Sequence, residues 1–103
     1  MNKLIKDGQV AVIHAPSFGA GWYTWNREYP ELMFDPALAT LLIENKLEQA
    51  CVYAELKWGD KCYLSDVGRL AVKWIPQGVE FRINEYDGSE RVIMRNEDEW
   101  FIA

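Results

Sequence analysis

The alternation of apolar and polar positions divides the chain into segments of different period. Gln9–Ala15 is a β-branched run stopped by Pro16, with Val10, Val12 and Ile13 in close succession. It reads as a first strand buried on both faces. From Pro16 to Pro30 neither a period of 2 nor one of 3.6 persists, so a long ordered loop is expected there. Asp35 followed by Pro36 marks a helix start, because Asp35 can accept from free amides and Pro36 loses nothing at the first helical position. Leu38, Leu41 and Leu42 then share a face. Asn45 and Glu48 have the spacing of a capping box, which predicts a second helix from near Lys46 through Leu47, Ala50, Cys51, Ala54 and Trp58 to Gly59. The break is shallow enough that both can belong to one kinked element.

Beyond Gly68, Leu70, Val72 and Trp74 alternate with Ala71, Lys73 and Ile75, a strand pattern closed by Pro76–Gly78. Val79–Arg95 reads as a β-hairpin about Asp87-Gly88, a pair suited to a type I′ turn in which both central residues take positive φ. Trp100–Ala103 is expected to add a short last strand. This order predicts an α+β fold: a small, mostly antiparallel sheet with two helices packed on one face. Residues 1–103 form a single expected domain, with no internal repeat, linker or low-complexity segment.

Composition narrows the function classes. A chain of 103 residues is too short for two separate cores, and 50% apolar with 26% charged residues is a globular mixture. No apolar run reaches the roughly 20 residues that cross a bilayer. The first residues meet a charge before a signal-peptide core can form, so a cytoplasmic protein is expected. Eleven basic against sixteen acidic residues, a net charge of −5, argue against direct nucleic-acid binding and against anionic membrane surfaces. Cys51 and Cys62 with one histidine cannot assemble a structural zinc site; they read as buried or incidental reduced thiols, and neither metal nor cofactor is expected. The unusual feature is aromatic content: five of the fourteen Trp, Tyr and Phe residues fall within residues 18–29.

Two segments hold the candidate chemistry. The two-residue turn sets Tyr86 opposite Ser89, Glu85 opposite Glu90, Asn84 opposite Arg91, Ile83 opposite Val92 and Phe81 opposite Met94. Phe81, Ile83, Val92 and Met94 then share the core face, and two carboxylates, Glu85 and Glu90, face each other on that same side. Directly paired like charges destabilise unless solvent, a cation or donors separate them. Either this is a solvated tip, or the tip contacts a ligand, a metal or an arginine. The loop Ser17–Asn26 leaves a strand end with glycines whose amides can approach a bound group and Trp rings that can stack, features of a small-ligand or nucleotide pocket. It is not a Walker loop, and Gly-x-Gly alone is weak. The competing reading is that the rings roof a small core and the glycines permit a tight turn. His14 beside Ser17 invites a hydrolytic set, yet no spacing specifies a triad, and a lone histidine at a strand end is more often structural. Residues 84–99 carry Glu85, Asp87, Glu90, Glu97, Asp98 and Glu99 against Arg91 and Arg95, an acidic face that suits solvent, docking on a basic protein partner or mimicry of nucleic acid.

The segments Ala15–Asn26 and Phe81–Glu90 resemble a family of small, generally uncharacterised phage- and prophage-encoded proteins. That family pairs a Gly-Ala-Gly-Trp-x-Thr-Trp-Asn loop with a Phe-x-Ile-x-Glu-Tyr-Asp-Gly-x-Glu hairpin. Asp35-Pro36 and Trp74–Gly78 fit the same pattern. The resemblance implies a viral context, in the cytoplasm of a host cell, without supplying an activity. The expectation is a non-enzymatic protein that binds a small, nucleotide-like ligand, with sequestration of a host defence signal as its role. Its site would comprise Ser17, the Gly19 and Gly21 amides, Trp22, Thr24, Trp25 and Asn26, with Glu85, Tyr86 and Glu90 from the hairpin. The alternative is an anti-CRISPR-like inhibitor that sets the acidic hairpin and exposed rings against a host defence protein complex. Exposed rings on so small a domain also suggest a homodimer.

Overall fold

Two Asp-Gly pairs bracket the sheet architecture. The computed structural model describes residues 1–64, 66–95 and 102–103. In it Asp7 and Gly8 take φ of 52° and 75°, and Asp87 and Gly88 take 50° and 85°. Both pairs therefore close two-residue hairpins with the positive φ that a type I′ turn requires. The first joins β1 (Ile5–Lys6) to β2 (Gln9–His14), a hairpin not expected from the sequence although its turn carries the same dipeptide as the second. β2 also pairs antiparallel with β3 (Ala71–Pro76), from Gln9 opposite Pro76 to His14 opposite Ala71, so β2 is central in the order β1-β2-β3. β4 (Phe81–Tyr86) and β5 (Ser89–Met94) form a separate two-stranded sheet in the register expected, including Glu85 opposite Glu90.

The expected α+β class holds: among the described residues three α-helices accompany two antiparallel sheets. The strands divide between two sheets because β2 is apolar on both faces and each face takes its own cover. Ala11 and Ile13 pack with Trp22, Leu32, Leu38, Ala50, Ala54 and Trp58 on the helical side. Val10 and Val12 pack with Ile75, Phe34 and Val92 on the other, where Phe81, Ile83 and Met94 of the hairpin close the cluster. Burial of each large side chain here contributes about 1.5–3 kcal/mol.

The helices are α1 (Glu31–Phe34), α2 (Pro36–Ile43) and α3 (Leu47–Trp58). Asp35 starts α2 as expected, accepting from the Leu38 amide at 3.0 Å, and its other oxygen pairs with Lys57 of α3 at 2.6 Å. That pair ties the two helices across their shared face. The junction between them is not the expected capping box. Asn45 adopts a left-handed φ of 59°, its amide donates to the Leu42 carbonyl and that of Lys46 donates to Leu41. This is a Schellman ending of α2, and α3 begins after it with no side-chain cap at Lys46. Asparagine tolerates the left-handed conformation, so the residue read as a start serves as a stop.

Cys51 lies exposed on α3 and Cys62 is half-buried, and both are free, so of the two readings, buried or incidental, neither is a fully buried thiol and the incidental one fits. Among the described residues no helix is long and apolar enough to cross a membrane. The expected strand over Trp100–Ala103 rests on Trp100 and Phe101, and the acidic run on Glu97, Asp98 and Glu99; these lie outside the described residues.

Candidate functional site

The loop and the hairpin tip do meet, and the residue that joins them is Glu90. Register places its side chain on the core side of β5, where it is 1% exposed. A carboxylate that deep must be satisfied by donors. One oxygen accepts from the Ala15 amide at 2.9 Å, and the other accepts from the Trp22 and Thr24 amides at 2.9 Å each and from the Thr24 hydroxyl. The loop thus folds its amides inward around an anion, as backbone nests do. The main chain adds to the seam: the Glu90 amide donates to the Ala15 carbonyl at 2.6 Å and the Gly19 amide to the Asp87 carbonyl at 2.9 Å. The Ser89 hydroxyl donates to the Pro16 carbonyl at 2.9 Å.

This arrangement separates the paired carboxylates. Glu85 turns to solvent and accepts from the Gly88 amide at 2.9 Å, closing the turn on itself. Gly88 is buried against the loop, and a Cβ there would stand 2.5 Å from the Ala20 nitrogen. Only a residue without a side chain allows that approach at a φ of 85°.

Several residues expected to hold a ligand are consumed by the same seam. Trp22 has 0% exposure, its indole N–H donates to the Leu32 carbonyl at 2.6 Å, and its ring meets Trp58 edge-on at 6.0 Å. It is a core residue with no face left for stacking. The Asn26 amide group donates to the Trp22 and Tyr63 carbonyls and accepts from the Tyr63 amide, three of its four hydrogen-bonding positions. Gly21 packs so closely on Thr24 that an added Cβ would lie 2.6 Å from its hydroxyl oxygen. The expected ligand roles of Trp22, Gly19, Thr24, Asn26 and Glu90 therefore give way to structural ones, because each group already has an internal partner.

What stays open lies just outside the seam. Ser17, Phe18, Trp25, Glu85 and Tyr86 are exposed, and Phe18 meets Tyr86 edge-on at 6.4 Å. These two rings, 69% and 78% exposed, border a groove of about 630 Å³ beside the hairpin tip, which Ile83 and Glu85 also line. Arg27, Asn84, Ser89 and Arg91 line it. Arg27 lies 5.6 Å from the Tyr23 ring centre, and neither it nor Arg91 forms an ion pair among the described residues. Arg27 also borders a second depression of about 420 Å³ with Trp25 and Lys61; outside that lining, Trp25 packs on Tyr63 at 5.5 Å. Arg27 carried no signal in the sequence. Asn84 and Arg91 did, since the hairpin register puts both on the face turned away from the core.

His14 ends β2 half-buried, with Nδ1 enclosed and without a hydrogen-bond partner. Burial pushes its pKa below 6.5, against the hydrogen bond with the Val12 backbone and the Glu90 charge, with Lys73 adding slightly to the depression. No cluster of three or more His, Cys, Asp or Glu side chains able to hold a metal occurs among the described residues. Compared with protein-family models, curated proteins and solved structures, the chain matches none.

Proposed function

We propose that this is a non-enzymatic binding protein for a small, planar, anionic ligand of nucleotide type, held in the groove beside the tip of the β4–β5 hairpin. The observation that carries the reading is a pair of guanidinium groups, Arg27 and Arg91, set without ion-pair partners among the described residues beside two exposed rings, Phe18 and Tyr86. In a chain of net charge −5, an arginine pair facing open space is a local site for an anion. Guanidinium forks match phosphate oxygens in two-point contacts, and aromatic faces accept a base. Asn84 supplies a further donor and acceptor for base edges. The phage context implied by the sequence resemblance makes sequestration of a host signal nucleotide the biological role, in the host cytoplasm.

The test is thermal unfolding in the presence of nucleoside monophosphates and diphosphates. A ligand at about 100 times its Kd should stabilise the native state by about 2.7 kcal/mol. Arg91→Ala and Tyr86→Ala should each abolish that shift. If no nucleotide moves the curve while a host protein co-purifies with the wild type and not with a Glu85→Lys, Asp87→Lys variant, the reading is wrong. The acidic hairpin tip would then be an inhibitor surface for a host defence complex.

A further inference from the structure

We infer that the ligand is a dinucleotide, with two bases and a phosphate linkage lying across Arg27; this rests on the nucleotide reading above. A mononucleotide would use only the groove at Phe18, Tyr86 and Arg91. The surface next to it repeats the same chemistry. Arg27 borders both depressions, so they meet at one guanidinium group. Beyond it stands another exposed ring, Trp25, 42% exposed, with half-buried Tyr29 in the same lining. Beyond it also stands a second cation, Lys61. The two depressions share Arg27, and each adds a cation and an exposed ring of its own: Arg91 with Tyr86 in the first, Lys61 with Trp25 in the second. A base against each ring and a phosphate linkage at the shared guanidinium group would occupy both.

Each half also holds a carboxylate, Glu85 in the first and Glu28 in the second. A carboxylate beside a phosphate site repels the ligand unless it accepts from it. Guanine offers two adjacent N–H donors on its pairing edge, which suit a carboxylate, and adenine offers one. The favoured occupant is therefore a diguanylate. Glu85 can take part because the Gly88 amide occupies only one of its oxygens.

Binding of GMP and of linear diguanylate to the full chain, measured by calorimetry, tests the inference. Joining two half-site ligands makes the second contact intramolecular, so diguanylate should bind at least about tenfold more tightly than GMP. Trp25→Ala and Lys61→Ala should each lower that ratio by about threefold or more. Lys61 is exposed and makes no ion pair among the described residues, so its variant keeps the test valid should Trp25→Ala fail to fold. Equal affinities for GMP and diguanylate, or a ratio unmoved by Lys61→Ala, would overturn the dinucleotide inference and leave the nucleotide reading in place. Failure of both nucleotides to bind would overturn the two together.

Discussion

The same two segments, the loop after β2 and the tip of the β4–β5 hairpin, build two regions of opposite character. In the seam, Glu90, Trp22, Asn26 and Gly88 face one another, and nearly every polar group there has an internal partner. In the groove beside it, Phe18, Tyr86, Arg27 and Arg91 point away from the protein. The residue types are alike in both: rings, carboxylates, amides. What differs is whether a group's partner lies within the chain. A Trp or Glu in a glycine-bearing loop signals a constraint, and only satisfaction of its hydrogen bonds tells whether the constraint is structural or left for a ligand.

The comparison can be broken by substitution. Glu90→Ala should have the largest effect, since three buried amides and a hydroxyl lose a charged acceptor; at about 1–3 kcal/mol for each group left unsatisfied, a loss of about 4 kcal/mol or more is expected in urea unfolding. Loss of under 1 kcal/mol would mean that water replaces the carboxylate and the seam is not sealed. Trp22→Ala empties the helical core and should cost about 3–5 kcal/mol. Gly88→Ala brings a methyl group against the Ala20 backbone at positive φ, and a loss of about 1–3 kcal/mol is expected, with the hairpin tip lifting from the loop. Amide exchange at Gly19, which donates to the Asp87 carbonyl, should then accelerate.

A smaller effect comes from His14. Its pKa is depressed in the folded protein, so between the folded value and the unfolded value near 6.5 the unfolded chain binds more protons. The contribution is complete above 6.5 and fades as pH falls through the folded pKa. The melting temperature should decline from pH 7.5 to pH 5, and His14→Gln should flatten part of that slope. The least effect on stability belongs to the groove: Tyr86→Ala and Arg91→Ala should stay within about 0.5 kcal/mol of wild type while nucleotide binding is lost. Substantial destabilisation by either would place the groove with the seam and end the distinction.

Much of the fold was readable from local rules. Asp87-Gly88 set the hairpin register down to Glu85 opposite Glu90, and Asp35-Pro36 started α2 where the pattern put it. The run Val10–Ile13 announced burial on both faces, though not that helices would cover one face and a separate hairpin the other. Asn45 misled because its αL conformation, rather than a capping side chain, shapes the junction. At the site, the meeting of loop and tip was anticipated, but the roles inside it were not. The Ala15, Trp22 and Thr24 donors stand 75, 68 and 66 positions from the carboxylate that takes them.

The amino-acid sequence by itself determined the elements and their registers, because turn φ angles, helix starts and apolar period are properties of neighbouring residues. Tertiary structure alone decided that Glu90 is an anchor and Trp22 a core residue, and that Arg27 and Arg91 share one open surface. Hydrogen-bond satisfaction and exposure depend on what a distant part of the chain brings within about 3 Å, and no local pattern carries that information.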